Sequence, residues 1–272
     1  MPEGPEILFF CVLLSRKIRG GRLVEIKFNT DKRSEISEDM EGEIEEIECR
    51  GKLLWMRLSS KEKNKKYYIH IHFGISGWIE FARPERNIKY EIRVERGGDK
   101  IELYMEDMRR FWKIKIVGEE EHERIIGKLG VSIFSEEFSE EYFRNVVKSR
   151  KTYVASLIME QKKIAGIGNY IKNEAIYMSK LGGRVKSNEL EEEEIRELYK
   201  NIKYVAYSSL MEQLKSKRIE GEYKERYDRY ERNRPEKIEI PYKFRIYGRE
   251  KTDDGKRVKK IKVAGRDSYV LE

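Results

Sequence analysis

The sequence predicts an α+β protein: an N-terminal helix, an antiparallel β-sandwich of two sheets, then a helical region ending in a β-hairpin. Changes in apolar periodicity predict it. Residues 5–18 form one dense apolar run, residues 22–117 alternate apolar with polar side chains, and from about residue 118 the spacing becomes helical. With 272 residues and 11% aromatics, the chain is long and apolar enough for two modest domains with their own cores. The expected boundaries are 1–118, 119–240 and 241–272.

PEILFFCVLLSRKI, residues 5–18, ends in basic residues before Gly20-Gly21, which suits a buried helix with a glycine cap. About eight short strands follow: 22–28, 42–49, 53–58, 67–73, 77–82, 90–95, 100–105 and 112–117, separated by turn-like stretches such as SSKEKNKK and RGGDK. Beyond residue 118, EEEHERIIGKLG, SEEFSEEYFRNVVKS, TYVASLIMEQKKI, GNYIKNEAIYMSKL and the segment 187–216 place Ser, Thr and Asn at capping positions of helices. The ELEEEE run at 189–194 suits a solvated helix start. Residues 217–240 mix both charges with little apolar content and read as a linker or exposed loop. From Pro241 on, two strands around an Asp-Gly turn form a basic hairpin.

Composition narrows the function classes. Lys and Arg outnumber Asp and Glu by 58 to 50, a formal +8, which leans toward a polyanionic partner. Cys11 and Cys49, with histidines only at 70, 72 and 122, are too few for a disulfide framework or a cysteine-rich zinc module. The expectation is a reducing compartment, cytosol or nucleus, with no metal and no cofactor. No apolar run approaches a membrane span, and MPEGPEILFFCVLL has no basic segment ahead of its apolar stretch, so it reads as a helix rather than a signal peptide.

Two stretches carry chemistry, each with two readings. In MPEGPE, Pro2 opens a helix with Glu3 and Glu6 near its positive end; alternatively, removal of Met1 exposes the secondary amine of Pro2, a nucleophile no internal residue supplies. In IAGIGNYIKNEAIY, residues 164–177, Gly166 and Gly168 precede a helix opened by Asn169. That arrangement suits backbone N–H groups and an amide aimed at a phosphate, or simply a close-packed helical hairpin.

These stretches resemble the Fpg/Nei DNA glycosylases, the formamidopyrimidine-DNA glycosylase and endonuclease VIII family. MPEGPE resembles its N-terminal motif, IAGIGNYIKNEAIY its helix-two-turn-helix signature, DMRRFW its Arg-Arg-Phe loop, and HFGISG a segment that normally has Met where Ile75 stands. The matches run in order through nearly the whole chain. The family usually ends in a four-cysteine zinc finger, which this sequence cannot make. Its hairpin instead resembles the zincless finger of a Nei-like branch, with Phe244, Ile246, Val258, Ile261 and Val263 available to pack onto the helical domain.

The resemblance implies a bifunctional DNA glycosylase and AP lyase of base excision repair, acting as a monomer on double-stranded DNA with oxidised bases or abasic sites. The enzyme would kink the duplex and rotate the damaged nucleotide outward. Ile75, Arg109 and Phe111 would fill the vacated space: Arg109 faces the orphaned base while Ile75 and Phe111 wedge between neighbours. Ile75 in place of Met is a stiffer, shorter wedge. The unprotonated amine of Pro2 would attack the sugar C1′ as the base leaves, with Glu3 handling protons at the sugar ring. The iminium acidifies the C2′ proton, so β- and then δ-elimination follow. Lys52 would hold phosphate as a point charge, with Asn169 and Arg266 gripping the same backbone and His72 a further phosphate contact or a hydrogen-bonded strand histidine. Glu174 lies near the site or serves packing or capping.

Two other functions compete. A non-catalytic damaged-DNA-binding protein of the same fold needs neither a free N-terminal amine nor its partner carboxylate, so Pro2 and Glu3 together count against it. An RNA- or ribosome-associated basic protein is supported by charge alone.

Overall fold

The computed structural model describes residues 2–28, 41–60, 65–74, 76–109, 111–219, 221 and 233–272. The chain divides into two compact units, Met1–Pro2 with Glu6–Lys128 and Glu3–Pro5 with Leu129–Glu272.

Helix α1 (Gly4–Ile18) is buried on nearly every face, with Ile7, Leu8, Phe9, Phe10, Cys11, Val12, Leu14 and Ile18 inside, as its apolar run predicts. Gly20 closes it at φ 76°, the left-handed geometry expected of a helix-ending glycine. Arg96 donates to the carbonyls of Arg16 and Lys17 at 2.6 and 3.0 Å, satisfying acceptors at the helix end.

Among the described residues of the first unit, eight strands are β1 (Arg22–Phe28), β2 (Gly42–Arg50), β3 (Leu53–Ser60), β4 (Lys65–His72), β5 (Trp78–Glu80), β6 (Ile88–Arg96), β7 (Asp99–Glu106) and β8 (Lys113–Val117). They pair antiparallel in the order β5-β7-β6-β1-β2-β3-β4-β8. The two expected sheets are therefore four-stranded halves of one hydrogen-bonded run. Among the described residues they join through a short ladder, Arg22 with Glu43 and Leu23 with Gly42, extended by Gly20 N donating to the Ile44 carbonyl and Ile44 N to the Gly21 carbonyl, both at 2.8 Å. Helix α1 bridges the halves: Cys11 and Ser15 both donate to the Ile47 carbonyl of β2 at 3.4 Å. On the other half, the Phe10 ring meets Trp78 of β5 edge-on at 4.7 Å. Helix α2 (Glu119–Ile126) completes this unit.

The second unit contains β9 (Val131–Ser132), α3 (Glu140–Lys148), α4 (Val154–Leu157), β10 (Ile164–Ala165), α5 (Asn169–Met178), α6 (Glu192–Ser216) and the hairpin β11 (Val258–Val263) and β12 (Arg266–Leu271). The acidic run does open a helix: Glu192, Glu193 and Glu194 form the first turn of α6, and Glu194 reaches back to the Glu191 N–H at 2.9 Å. Of residues 217–240, 220 and 222–232 lie outside the described residues. Beyond them Asn233 is anchored, donating to the Ser135 carbonyl at 2.8 Å and accepting from Lys203 at 2.6 Å.

The hairpin differs from expectation in its turn. The ladder strands are joined by Ala264-Gly265, with φ 47° and 79°, the pair of positive values a type I′ turn demands. The Asp-Gly signal is used earlier, closing a loop around the isolated Lys251–Arg257 bridge. Of the five apolar residues expected to pack, Ile246 and Val263 are buried, while Phe244 stays 40% exposed.

Candidate active site and nucleic-acid interface

In the second unit the site is built on the N-terminus of α5, whose first amides lack partners within the helix. The Glu3 carboxylate takes that place, accepting from Tyr170 N at 2.8 Å and Ile171 N at 3.3 Å, and is 1% exposed. The backbone N–H groups expected to face a phosphate are thus bound by the protein's own carboxylate, which satisfies the helix end from within. The two glycines of the signature have separate tasks. Gly166 adopts φ 113° and its carbonyl accepts from Gly4 N at 2.9 Å. At Gly168 a Cβ would fall 2.1 Å from the Glu3 carboxyl carbon, so only glycine lets the acid reach the helix. Gln161 braces the turn, accepting from Gly166 N at 3.0 Å and donating to the Met159 and Ile167 carbonyls at 3.0 and 2.9 Å.

Asn169, Lys172, Asn173 and Glu174 tie α5 to the residues that follow the helices. Lys172 donates to Asn169 Oδ1, the Asp267 carbonyl and Ser268 Oγ at 2.8, 2.7 and 3.0 Å, and Tyr269 N donates to Asn173 Oδ1 at 2.9 Å. Glu174 is wholly buried. It accepts from the Tyr242 hydroxyl and from the backbone N–H groups of Arg245, Ile246 and Tyr247 at 2.7–2.9 Å. Burial and the Glu174 charge keep the Tyr242 proton well above the usual tyrosine range. Glu174 thus holds the entry to the hairpin, and Arg266, exposed just past the Ala264-Gly265 turn, opens β12.

The first unit gathers its predicted residues at one end of the β3-β4-β8 strands. Lys52 is the second residue of the two-residue β2–β3 turn, after Gly51 at φ 60°, the position a II′ turn reserves for glycine. Leu53, next to it, pairs with His72, which in turn pairs with Lys113. His72 and Lys113 are both exposed. From the same end rise residues 74, 76–77, 107–109 and 111–112. A Cβ on Gly74 would lie 2.6 Å from Phe111 Cβ, so the two loops touch. Ile75 lies outside the described residues. Phe111 is 52% and Met108 72% exposed, and Arg109 is exposed beside them. Pro2, buried, precedes Glu3 in the chain.

Asp107 organises this loop pair. It is buried and accepts from Ser76 Oγ at 2.6 Å, Trp112 N at 2.8 Å and Arg109 N at 3.1 Å. Burial works against its charge, but the Ser76 hydroxyl and the two backbone N–H groups outweigh it and hold the carboxyl below its ordinary range. Trp112 is the buried floor of the loop. A Cβ on Gly77 would fall 1.1 Å from its Nε1, so Gly77 is required by the indole.

Residues 1–114 match the formamidopyrimidine-DNA glycosylase N-terminal domain, and residues 129–219 match the formamidopyrimidine-DNA glycosylase H2TH domain. The chain belongs to the Fpg/Nei family of DNA glycosylases. A formamidopyrimidine-DNA glycosylase of Protochlamydia amoebophila is 28% identical over 165 residues, 60% of this chain and 56% of that protein. One from Ligilactobacillus salivarius is 29% identical over 210 residues, 74% of this chain and 75% of the relative. Among solved structures, MutM (Fpg) of Thermus thermophilus has a TM-score of 0.76 at 23% identity, over 98% of this chain and 96% of its own. Lactococcus lactis Fpg, non-covalently bound to DNA containing an AP site, has a TM-score of 0.73 at 20% identity, over 99% and 97%. These likenesses show a shared fold.

Within the Fpg/Nei frame, sequence reasoning missed Asp107, Gln161, Lys172 and Lys113. Asp107 and Lys172 stand inside quoted motifs, but a carboxylate beside an exposed loop and a lysine on a helix carry no signal of burial. Gln161 precedes the signature by a few residues with no pattern to mark it. Lys113 follows DMRRFW directly and is one more basic residue in a chain rich in them.

Proposed function

We propose that the protein is a bifunctional glycosylase and AP lyase that removes oxidised bases from duplex DNA and then nicks the strand. The observation that carries this reading is the Glu3 carboxylate, buried and fixed by two backbone N–H groups of α5 directly after Pro2. With Met1 removed, the Pro2 nitrogen attacks C1′ of the damaged nucleotide. The C1′–N bond to the base breaks, the base leaves with its electron pair, and Glu3 handles the proton as the sugar ring opens to the iminium. Loss of the C2′ proton expels the 3′-phosphate by β-elimination, δ-elimination releases the 5′-phosphate, and water frees the amine.

Each unit offers its own phosphate ligands, Lys52 and His72 on the first and Asn169 and Arg266 on the second, so affinity falls with salt. Phe111 and Arg109, exposed on a loop pinned by Asp107, suit insertion into the space left by a flipped nucleotide, together with Ile75. The hairpin from 241 on carries no cysteine. Its attachment to α5 through Lys172, Asn173 and Glu174 supports a finger that stands without zinc, and with it a Nei-like preference for oxidised pyrimidines and ring-opened or further-oxidised purines. Lactococcus lactis Fpg has been crystallised with oxidised-pyrimidine DNA, so the fold itself admits such lesions.

The test is covalent trapping. Mature protein is incubated with duplex DNA carrying dihydrouracil or an abasic site, borohydride is added, and Pro2→Gly, Glu3→Gln and a Met1-retaining form run alongside. A wild-type adduct lost in the Pro2→Gly and Met1-retaining forms is expected. No wild-type adduct overturns the enzymatic reading and, with binding retained, leaves a lesion-binding protein; an adduct indifferent to Pro2 overturns the nucleophile.

A further inference from the structure

Lys172 is a lysine 1% exposed on the first turn of α5. Lysine is seldom buried unless its donors are matched, and here each of its three N–H groups has an acceptor: Asn169 Oδ1, the Asp267 carbonyl and Ser268 Oγ. An ammonium only donates, so the Asn169 oxygen faces Lys172 and the amide N–H2 is turned away from it. The same ammonium grips the carbonyl of the residue after Arg266. One buried cation therefore sets the outward face of a helix-borne amide and the backbone of a hairpin-borne guanidinium.

We propose that Lys172 is the positioning residue of the phosphate clamp, its protonated form orienting Asn169, fixing the β12 strand that carries Arg266, and adding positive charge behind both. The inference rests on the reading that Asn169 and Arg266 hold DNA phosphates. The charged groups facing Lys172 are Glu3 at the start of α1 and Arg266 and Asp267 on β12. Burial is the largest influence and brings the ammonium down to about 8, with Glu3 opposing it, Arg266 adding to it and Asp267 opposing it. Nearby phosphate favours the charged form, so binding draws a proton onto Lys172. Affinity is then full below about pH 8 and falls as pH rises past it, by at most about tenfold per pH unit for one linked proton.

The experiment measures Kd by fluorescence anisotropy for a duplex containing a tetrahydrofuran abasic analogue, from about pH 6.5 to about pH 9.5 at fixed salt. It uses wild type, Lys172→Arg, Lys172→Met and Ser268→Ala, with thermal melts and borohydride trapping in parallel. Wild type should lose about tenfold between about pH 7 and about pH 9. Lys172→Arg, charged throughout this range, should bind with a flat profile; Lys172→Met should bind weakly and flatly. Ser268→Ala keeps the lysine but removes one acceptor of its proton, so the fall should begin at lower pH, which tests the idea even if Lys172→Met does not fold. Normal trapping with a wild-type pH profile that Lys172→Arg and Ser268→Ala both share overturns the role of Lys172. A wild type that neither binds nor traps overturns the glycosylase reading, and this inference with it.

Discussion

The residues around Asp107 in the first unit and the start of α5 in the second are both organised by a buried carboxylate that accepts backbone N–H groups. They use it differently. Asp107 gives all its capacity to scaffolding, taking Ser76, Arg109 and Trp112, and the groups on display are its exposed neighbours, Met108, Arg109 and Phe111. Glu3 caps a helix and is itself the group proposed to act. A scaffold acid can be replaced by anything that satisfies the same donors, whereas a working acid cannot. The first region should therefore tolerate change in proportion to stability, and the second should lose chemistry out of proportion to stability.

The strongest way to break this contrast is Gly168→Ala. The new Cβ would fall 2.1 Å from the Glu3 carboxyl carbon, so the acid must leave its seat on Tyr170 and Ile171. Displacement of a reacting group by about an ångström costs on the order of 100-fold, and that loss is expected in the rate of borohydride-trapped adduct. Because Glu3→Gln acts through the same group, the double variant should be no slower than the worse single one. A Gly168→Ala protein trapped at the wild-type rate would separate the carboxylate's seat from the reaction.

The second way is Asp107→Ala, which leaves the Ser76 hydroxyl and the Arg109 and Trp112 N–H groups without this acceptor. The cost is about 2 kcal/mol of stability in the first unit, read as a lower urea midpoint. Activity should divide by substrate. A single strand needs no group to replace a flipped base, so the loss on duplex should exceed that on the same lesion in a single strand by on the order of tenfold. Equal losses on both would show that the loop does not serve insertion.

What is legible in the sequence follows from how local its cause is. All eight strands and α1 can be read from alternation and apolar density, because burial of one face is written every second residue. The ladder that joins the two halves of the sheet cannot, since among the described residues it is as short as Arg22–Glu43 and Leu23–Gly42 with the Gly20–Gly21 backbone beside them. Sequence assigns the hairpin turn to Asp-Gly because Asn or Asp before Gly is the usual I′ pair, whereas the structure places Ala264 at positive φ. Residues 152–164 read as one helix, yet α4 stops at Leu157, where the chain turns to present Gln161 to Gly166. At the site, Glu3 is named through motif resemblance, but its cap on α5 spans 167 residues of sequence and no local pattern announces it. Lys172 stands within the signature without a role, because its partners Asp267 and Ser268 arrive with the hairpin.

The smallest expected effect concerns acid, and it too divides the units. Histidine occurs only at 70, 72 and 122 and tryptophan only at 55, 78 and 112, all in the first unit. His70 and His122 are buried and joined, Nε2 to Nδ1, at 2.9 Å, with the His122 ring stacked on Tyr68 at 3.8 Å. Burial first, then the His122 charge, brings His70 down to about 4, and burial also lowers His122. An unfolded histidine titrates near pH 6.5. The contribution of the neutral pair is therefore complete above about pH 6.5 and is lost as pH falls toward about 4, because the unfolded chain binds protons that the folded one excludes. At about pH 5 the loss for His70 is on the order of 2 kcal/mol. Urea unfolding followed by tryptophan fluorescence at about pH 7.5 and about pH 5 reports the first unit alone. His70→Gln, which keeps an amide at the pair but cannot titrate, should narrow the gap between the two midpoints. If the gap is unchanged, the acid sensitivity of this unit between these pH values lies in His122, which burial also lowers, because Asp107, held below an ordinary carboxyl, loses its contribution only below about pH 4.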